Sequence, residues 1–582
     1  MCKTIKEEQP QLGATDKDVL CVKLAGLLHD LGHGPYSHLY ESFRGDYLEN
    51  FLKANPDLRE EYKDCEHLVP VPKWGHERSS LLFIDTLLEE LGLKIDLDRL
   101  DEPLQQIGDG IDANSMRVFK PPGVEDGVLT SRDFLFIKEC IYGGPLEGYS
   151  YFVGRQDRKL EWLYDIVSNR HNGLDVDKID YFARDHSRAI GKRGIDIKMI
   201  TDARVAMGKC SKPDKCHVCK GKDEPEMHYM ICYPDKHVAT VMNFFKHRLY
   251  LHKIVYQHKT TAAVQSMLCD ILCLADPFLR LQSHGGESFP ISRAYLKSEF
   301  LLRLDDNVLS LIAHSTEPKL EEARELLKRF HKHDFYKCAV DQSLDVDRPI
   351  VDTEDLEGED LENVQNSQRD IAVYGMSETA IHADILKLMD EAHSGLRGND
   401  FIVLKYRMDH GAKEKNPLLL MRFYDKMSVE KLVGPPEDLP VAKQIDETRH
   451  SPILPHSYRW VGIRVLVRDE SNRELVNQFF HQWFELKIVT INGNRAPQCA
   501  SPTSLFQRYR NMGENDDDDN NDNDDQNMGD GENEDDDWEA RGRDYPALLS
   551  QDVDDSAEED NYDDDHRGMN ELSPVALEMK TR

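Results

Sequence analysis

Several classes of protein are excluded by what this chain does not contain. Its 582 residues hold no run of about 18 apolar residues, so no helical membrane span is expected, and no secretory leader is visible. The twelve cysteines are scattered, with a single C-x-x-C pair at Cys216 and Cys219. That spacing argues against a disulfide scaffold and points to a reducing compartment, nucleus or cytoplasm. Internal repeats are absent. Basic residues are in deficit, 73 lysines and arginines against 108 acids, and the formal charge is −35. A uniformly negative surface repels polyanions, so any anionic ligand needs local lysine, arginine or metal charge.

The deficit is concentrated at one end. Residues 514–566 carry 25 acids against two arginines, which accounts for −23 of the charge and leaves −12 for the rest. Apolar content collapses beyond about Ala500, and such a segment cannot bury enough surface to offset its ordering entropy. Residues 501–582 are therefore expected to be a disordered acidic tail without a catalytic part. The remaining length is ample for a core and more than one domain.

Against that background, the stretch Leu20 to His38 stands out. Leu20, Leu24, Leu27, Leu28 and Leu31 recur at helical spacing and predict one buried stripe that delivers His29 and Asp30 at a helix end. Gly32, Gly34 and Pro35 stop that helix. An imidazole beside a hard carboxylate suits a first-row divalent cation, and the glycines would let a phosphate or water approach the backbone. A lone His-Asp pair would read as an exposed helix end. Three histidines within ten residues, His29, His33 and His38, favour a site.

Three more segments carry chemistry. Lys73-Trp74-Gly75-His76-Glu77 precedes the apolar-periodic run Leu81 to Leu93, and His76 is a proton-handling candidate through its neutral-range pKa, or else a cap or surface residue. In His171 to Asp185, a helix from about Asp175 puts Asp177, Tyr181 and Asp185 on one stripe with Lys178 at its border, while Ile179 and Phe182 anchor the other side. A solvated, salt-bridged face is the alternative there. Arg248, His252 and Tyr256 sit four apart on predicted helices spanning Val238 to Leu279, followed by Gln257-His258-Lys259.

Together HDLGHGPYSH, KW-x-HE, NGLDVDK-x-DYFARD and R-x-x-x-H-x-x-x-YQHK resemble the HD phosphohydrolase superfamily, and within it the dNTP triphosphohydrolase branch. The resemblance covers roughly Asp16 to Thr490. It implies a metal held by His29, Asp30 and Asp177 (zinc, iron or manganese, with possible magnesium) that activates water against a phosphate ester. It also implies His33, His38 and His76 as catalytic residues, Lys178 and Arg248 on phosphates, and Tyr181, Asp185, His252, Tyr256 and Gln257 around sugar and base. A tyrosine packed under the sugar leaves no room for a 2′-hydroxyl. Arginine's fork suits phosphate oxygens independently of the resemblance.

Further implications are GTP or dNTP activators at Arg204, Lys236, His258, Lys259 and Lys337, and a homo-oligomer, dimer to tetramer. Pro234 and His333 stand where arginines would be expected, so nucleotide activation is expected to be weakened or altered. The family places another metal-ligating histidine, a SAM domain and amino-terminal segments upstream of the doublet. Met1 to Asp18 contains no histidine, and an amino-terminal truncation is the expectation.

Cys210, Cys216, His217, Cys219 and His228 lie in a segment that departs from the family. Cys210 and His228 with the C-x-x-C pair would complete a tetrahedral zinc site, but without a second C-x-x-C a flexible, reduced loop is the expectation. Glu317 to Tyr336 reads as an amphipathic helix, 341–370 as a mobile acidic connector, 401–406 and 460–467 as strands, and Glu474 to Phe484 as a helix. The fold class expected is mainly α: an HD helical core over 1–340, the connector, a smaller α+β lobe over 371–500, and the tail. Two rival functions stand beside dNTP hydrolysis. One is another HD nucleotide phosphohydrolase, and the other a catalytically impaired scaffold for nucleotides or single-stranded nucleic acid. The lysine clusters lack the interleaved aromatics of a dedicated single-strand binder.

Overall fold

The computed structural model describes residues 1–62, 74–106, 128–191, 198–283, 285–347 and 358–491. Its longer helices begin with α1 (Asp16–Leu28), α2 (His76–Glu90), α3 (Ser131–Tyr142) and α4 (Val176–Ile190). The hairpin β1 (Arg204–Lys209) and β2 (Met227–Pro234) comes next, then α5 (Val238–Leu251), α6 (Lys259–Ala275) and α7 (Glu321–His331). Strand β3 (Lys337–Leu344), helices α8 (Gly358–Gly375) and α9 (Glu378–Glu391), strands β4 (Phe401–Asp409), β5 (Phe423–Tyr424), β6 (Val441–Ala442) and β7 (Arg459–Val467), and α10 (Arg473–Ile491) follow, with shorter helices and two small hairpin sheets between them. The fold is mainly α. Among the described residues no helix is long and apolar enough to cross a membrane.

Helices α1 and α3 begin in the same way. Thr15 Oγ1 accepts the Asp18 N–H while Asp18 Oδ2 accepts the Thr15 N–H at 2.8 Å, and Thr130 with Asp133 repeats the box. Arg155 then joins the two ends, donating to Asp18 Oδ1 at 2.6 Å and Asp133 Oδ1 at 2.8 Å, with its guanidinium over the Phe136 ring. Lys17 Nζ, 2.6 Å from Asp133 Oδ2, adds a second link between the two ends. Val19, Cys21, Val22 and Ala25 are buried and Leu24 and Leu28 pack half-buried against the core, whereas Leu27 is 73% and Leu31 46% exposed, so only part of the leucine stripe expected from spacing turns inward.

One apolar core gathers α1, α3, α4 and α5 around Phe136, Trp162, Phe182 and Phe245. A second surrounds α6 with Tyr40, Phe43, Ile271 and Phe300, and a third packs α9 and α10 on the sheet through Ile385, Val465, Phe480 and Trp483. That sheet has the order β3-β7-β4, both pairings antiparallel, with Val465 opposite Val340 and Val403. The other main sheet, β6-β1-β2-β5, flanks the hairpin with two short parallel strands from the carboxy-terminal half.

These pairings change the expected organisation. The stretch read as a connector, 341–370, starts inside β3 and ends inside α8. Within it, residues 341–344 are held as strand because β7 supplies β3 with a ladder of partners. The described residues form one compact unit, with strands exchanged across the predicted boundary. The acidic tail and Lys73 lie outside the described residues.

Candidate functional site

Just beyond the end of α1, His29 Nδ1 donates to the Gly26 carbonyl at 2.8 Å. This turns its Nε2 to 3.3 Å from both Asp30 Oδ1 and Asp177 Oδ1. Asp177 arrives from the first turn of α4, whose N-cap is Asp175 accepting the Lys178 N–H at 3.1 Å. The ligand atoms of His29, Asp30 and Asp177 all lie within 4.8 Å of one another. The Asp177 hydrogen bond, working against burial and helped by Asp30, raises His29 to about 9. One imidazole with its far nitrogen on a carbonyl and two hard carboxylates fit a first-row divalent cation.

Beside this group a second one is assembled from the following turn and α2. His33 and His76 stack with ring centroids 3.8 Å apart, and His38 meets both edgewise. The turn that permits this depends on Gly32, where a Cβ would fall 2.2 Å from the His76 carbonyl oxygen and 2.3 Å from the Ser80 nitrogen. Gly32 N–H instead donates to Ser80 Oγ at 2.8 Å, and Ser80 Oγ donates to the His29 carbonyl. The space the Gly32 side chain gives up is filled by the backbone of α2, not left for a phosphate or water as expected.

Glu41 holds this second group together and was not foreseen. Its Oε1 accepts from the His76 backbone N–H at 3.0 Å and from His76 Nδ1 at 2.8 Å, and its Oε2 lies 3.1 Å from His38 Nδ1. Burial opposes the charge, but these bonds hold the Glu41 carboxyl well below the usual carboxylate range. The signal available was its place three residues after His38 on one helical turn. His76 Nε2 is left facing Asp30, 3.7 Å away.

On α4, Ile179 and Phe182 are buried as the pattern required. Across from them, Tyr256 Oη donates to Asp185 Oδ2 at 2.5 Å, and the Tyr181 and Tyr256 rings meet at 6.4 Å. Residues His252–Tyr256 form a π-helical turn, the Gln257 N–H reaching the His252 carbonyl at 2.8 Å. The regular four-residue face expected for Arg248, His252 and Tyr256 is thus broken, although the His252 and Tyr256 rings still meet at 5.1 Å. Burial, aided by Arg248, pushes His252 down to about 4, so it is neutral at neutral pH.

Strand β4 closes this side with two residues that sequence reasoning missed. Arg248 donates to the Asp409 carbonyl and lies 3.2 Å from its carboxylate, while the Gln257 amide donates to the Arg407 carbonyl at 3.2 Å. Gln257 Oε1 is buried with no hydrogen-bond partner. Lys178 is engaged too, with Nζ 2.9 Å from Asp175 Oδ2. Neither cation expected on phosphates is therefore free, because each has a neighbouring carboxylate.

The residues read as an activator site fall around two different sheets. Arg204 lies on β1, 3.4 Å from Glu8, and Lys236 follows β2, 2.7 Å from Asp202. Lys337 begins β3, 3.8 Å from Glu470, and His258 caps α6 ahead of Lys259. The cysteine segment is not the open loop expected: Cys210, Cys216, Cys219 and His228 are all buried.

No protein-family model matches the chain. It is 30% identical over 484 residues to deoxynucleoside triphosphate triphosphohydrolase SAMHD1 of Homo sapiens, covering 82% of this chain and 62% of that protein. The same enzyme of Danio rerio is 30% identical over 503 residues, with 83% and 64% covered. A SAMHD1 homolog of Dictyostelium discoideum is 24% identical over 478 residues, with 82% and 67% covered. The chain spans just under two thirds of the length of the human and fish proteins.

Proposed function

We propose that this chain, an HD-domain protein similar to SAMHD1 over most of its length, hydrolyses deoxynucleoside triphosphates to deoxynucleoside and inorganic triphosphate in the nucleus or cytoplasm. One observation carries the reading: His29 and Asp30 from the end of α1 converge with Asp177 from the start of α4, 148 residues from His29. These three would hold the cation, zinc, iron or manganese, which when bound supplies positive charge beside the phosphorus and lowers the pKa of water.

The chain's own groups do the rest. Glu41 fixes His76 through Nδ1, leaving Nε2 to protonate the departing 5′-oxygen. His33 and His38 would meet phosphate oxygens. Lys178 and Arg248 lie where a triphosphate would share them with Asp175 and Asp409. Tyr181 sits under the sugar, and the unpartnered Gln257 Oε1 would accept a donor from the base. Arg204 and Lys236 surround one sheet while His258, Lys259 and Lys337 surround another, so a single activator pocket for GTP or a dNTP would need a neighbouring copy to bring them together. That makes nucleotide regulation and homo-oligomer formation one proposal.

Product analysis tests it. Incubation with dGTP should release deoxyguanosine and intact triphosphate, and Asp177→Ala should abolish turnover together with the metal held by His29 and Asp30. Release of pyrophosphate or monophosphate would mark a different HD hydrolase, and turnover retained in Asp177→Ala would overturn the ligand assignment.

A further inference from the structure

The buried cysteine and histidine cluster behind α4 is used by none of this chemistry. Cys210 follows β1, Cys216 follows a short helical turn after it, His228 lies on β2, and His171 comes from the loop before α4. One ligand atom from each of these four lies within 4.8 Å of the other three. We propose that they form a structural zinc site of Cys2His2 type.

Three observations support it. First, tetrahedral zinc with Zn–S of about 2.3 Å and Zn–N of about 2.0–2.1 Å places sulfur and nitrogen ligands roughly 3.6 Å apart. Cys216 Sγ is 3.6 Å from His228 Nε2. Second, each histidine has its other nitrogen on a carboxylate: His228 Nδ1 is 3.1 Å from Glu161 Oε2, and His171 Nδ1 is 2.9 Å from Asp165 Oδ1. Carboxylates in that position orient imidazole ligands and make them better donors, and they leave both Nε2 atoms for the ion. Third, His171, Cys216 and His228 line a cavity of about 60 Å³, room for an ion among groups that a purely apolar core would not assemble. Two thiolates and two imidazoles close the coordination sphere, which marks a structural rather than catalytic zinc.

The ligand set differs from the one C-x-x-C spacing suggests. Cys219 Sγ accepts the Glu226 N–H at 3.4 Å and, although 3.3 Å from His228 Nε2, is not among the four residues whose ligand atoms all lie within 4.8 Å of one another. His171 takes its place. It is six residues before Asp177, and the intervening turn is held by Asn169, which takes the His171 and Asn172 N–H groups at 3.1 and 3.0 Å. The zinc thereby pins the segment that caps α4 to the β1–β2 hairpin, and so supports the position of Asp177.

The test is elemental analysis of the full chain carrying Asp177→Ala, which removes the metal at His29. About one zinc per chain should remain, should be lost in Cys216→Ser and His171→Ala, and should persist in Cys219→Ser. Cobalt loaded into the otherwise unaltered chain should give the near-ultraviolet thiolate-to-cobalt absorption that the sulfur-free site at His29 cannot give. This readout needs no substitution that risks the fold. Absence of zinc and of that absorption overturns the site, as does a Cys210–Cys216 disulfide found by thiol titration. Zinc lost in Cys219→Ser but kept in His171→Ala overturns the ligand set.

Discussion

Glu41 shows how one side chain organises the site without meeting the reacting atoms. It fixes the tautomer and plane of His76 and reaches His38 with its other oxygen. Glu41→Gln keeps the shape but loses an acceptor to two histidines, and partners of this kind typically matter by about 10–100-fold. The expected outcome is a fall in kcat of that order with KM little changed, read from steady-state kinetics on dGTP. A comparable rise in KM with kcat intact would mean that Glu41 acts in substrate binding. Gly32 acts by omission, its missing side chain letting the turn lie against α2 so that His33 can stack on His76.

At the scale of elements, two helices that begin with matching capping boxes are locked to each other by Arg155 and by Lys17, which reaches from α1 to Asp133. Asp18 and Asp133 each serve their own helix end, then share Arg155, and all three are nearly removed from water. Taking away the Arg155 cation leaves the buried Asp18 carboxylate without its ion-pair partner and Asp133 with Lys17 alone, a loss of about 3–5 kcal/mol for a broken buried pair. Arg155→Met should lower the denaturation midpoint accordingly and should loosen His29, which follows α1. A midpoint unchanged from the parent chain would show that the clasp contributes little. Helix α4 illustrates the same coupling from the other side, since the cap at Asp175 both starts the helix and engages Lys178.

Across the whole molecule, a sequence read as two domains joined by a connector forms one unit because β3, β5 and β6 cross the expected boundary. Asp270 on α6 ties the halves further: Tyr47, Tyr336 and Arg468 all converge on its carboxylate, at 2.7, 2.7 and 2.8 Å. Asp270→Ala should therefore shift unfolding of the entire unit to lower denaturant in one transition, the same by fluorescence and circular dichroism. Two separated transitions would restore the two-domain description. The helices that carry His29, His76 and Asp177 were legible because apolar periodicity is local, and these residues with Asp30 stood in recognisable short patterns. The buried face of α1 was read only in part, because which leucines turn inward depends on distant segments that pack against the helix. Glu41, Asp409 and the fourth ligand at His171 were missed for the same reason, since each acquires its role from a partner that only folding brings near. What the sequence determined by itself was that a helix leads to His29 and another begins near Asp175, and which residues are of a type suited to metal and proton chemistry, properties that follow from neighbours within a few turns. Which face turns inward, which carboxylate pairs with which cation, and how the strands are shared were decided by the tertiary structure, because those choices depend on burial and on contacts between segments tens to hundreds of residues apart.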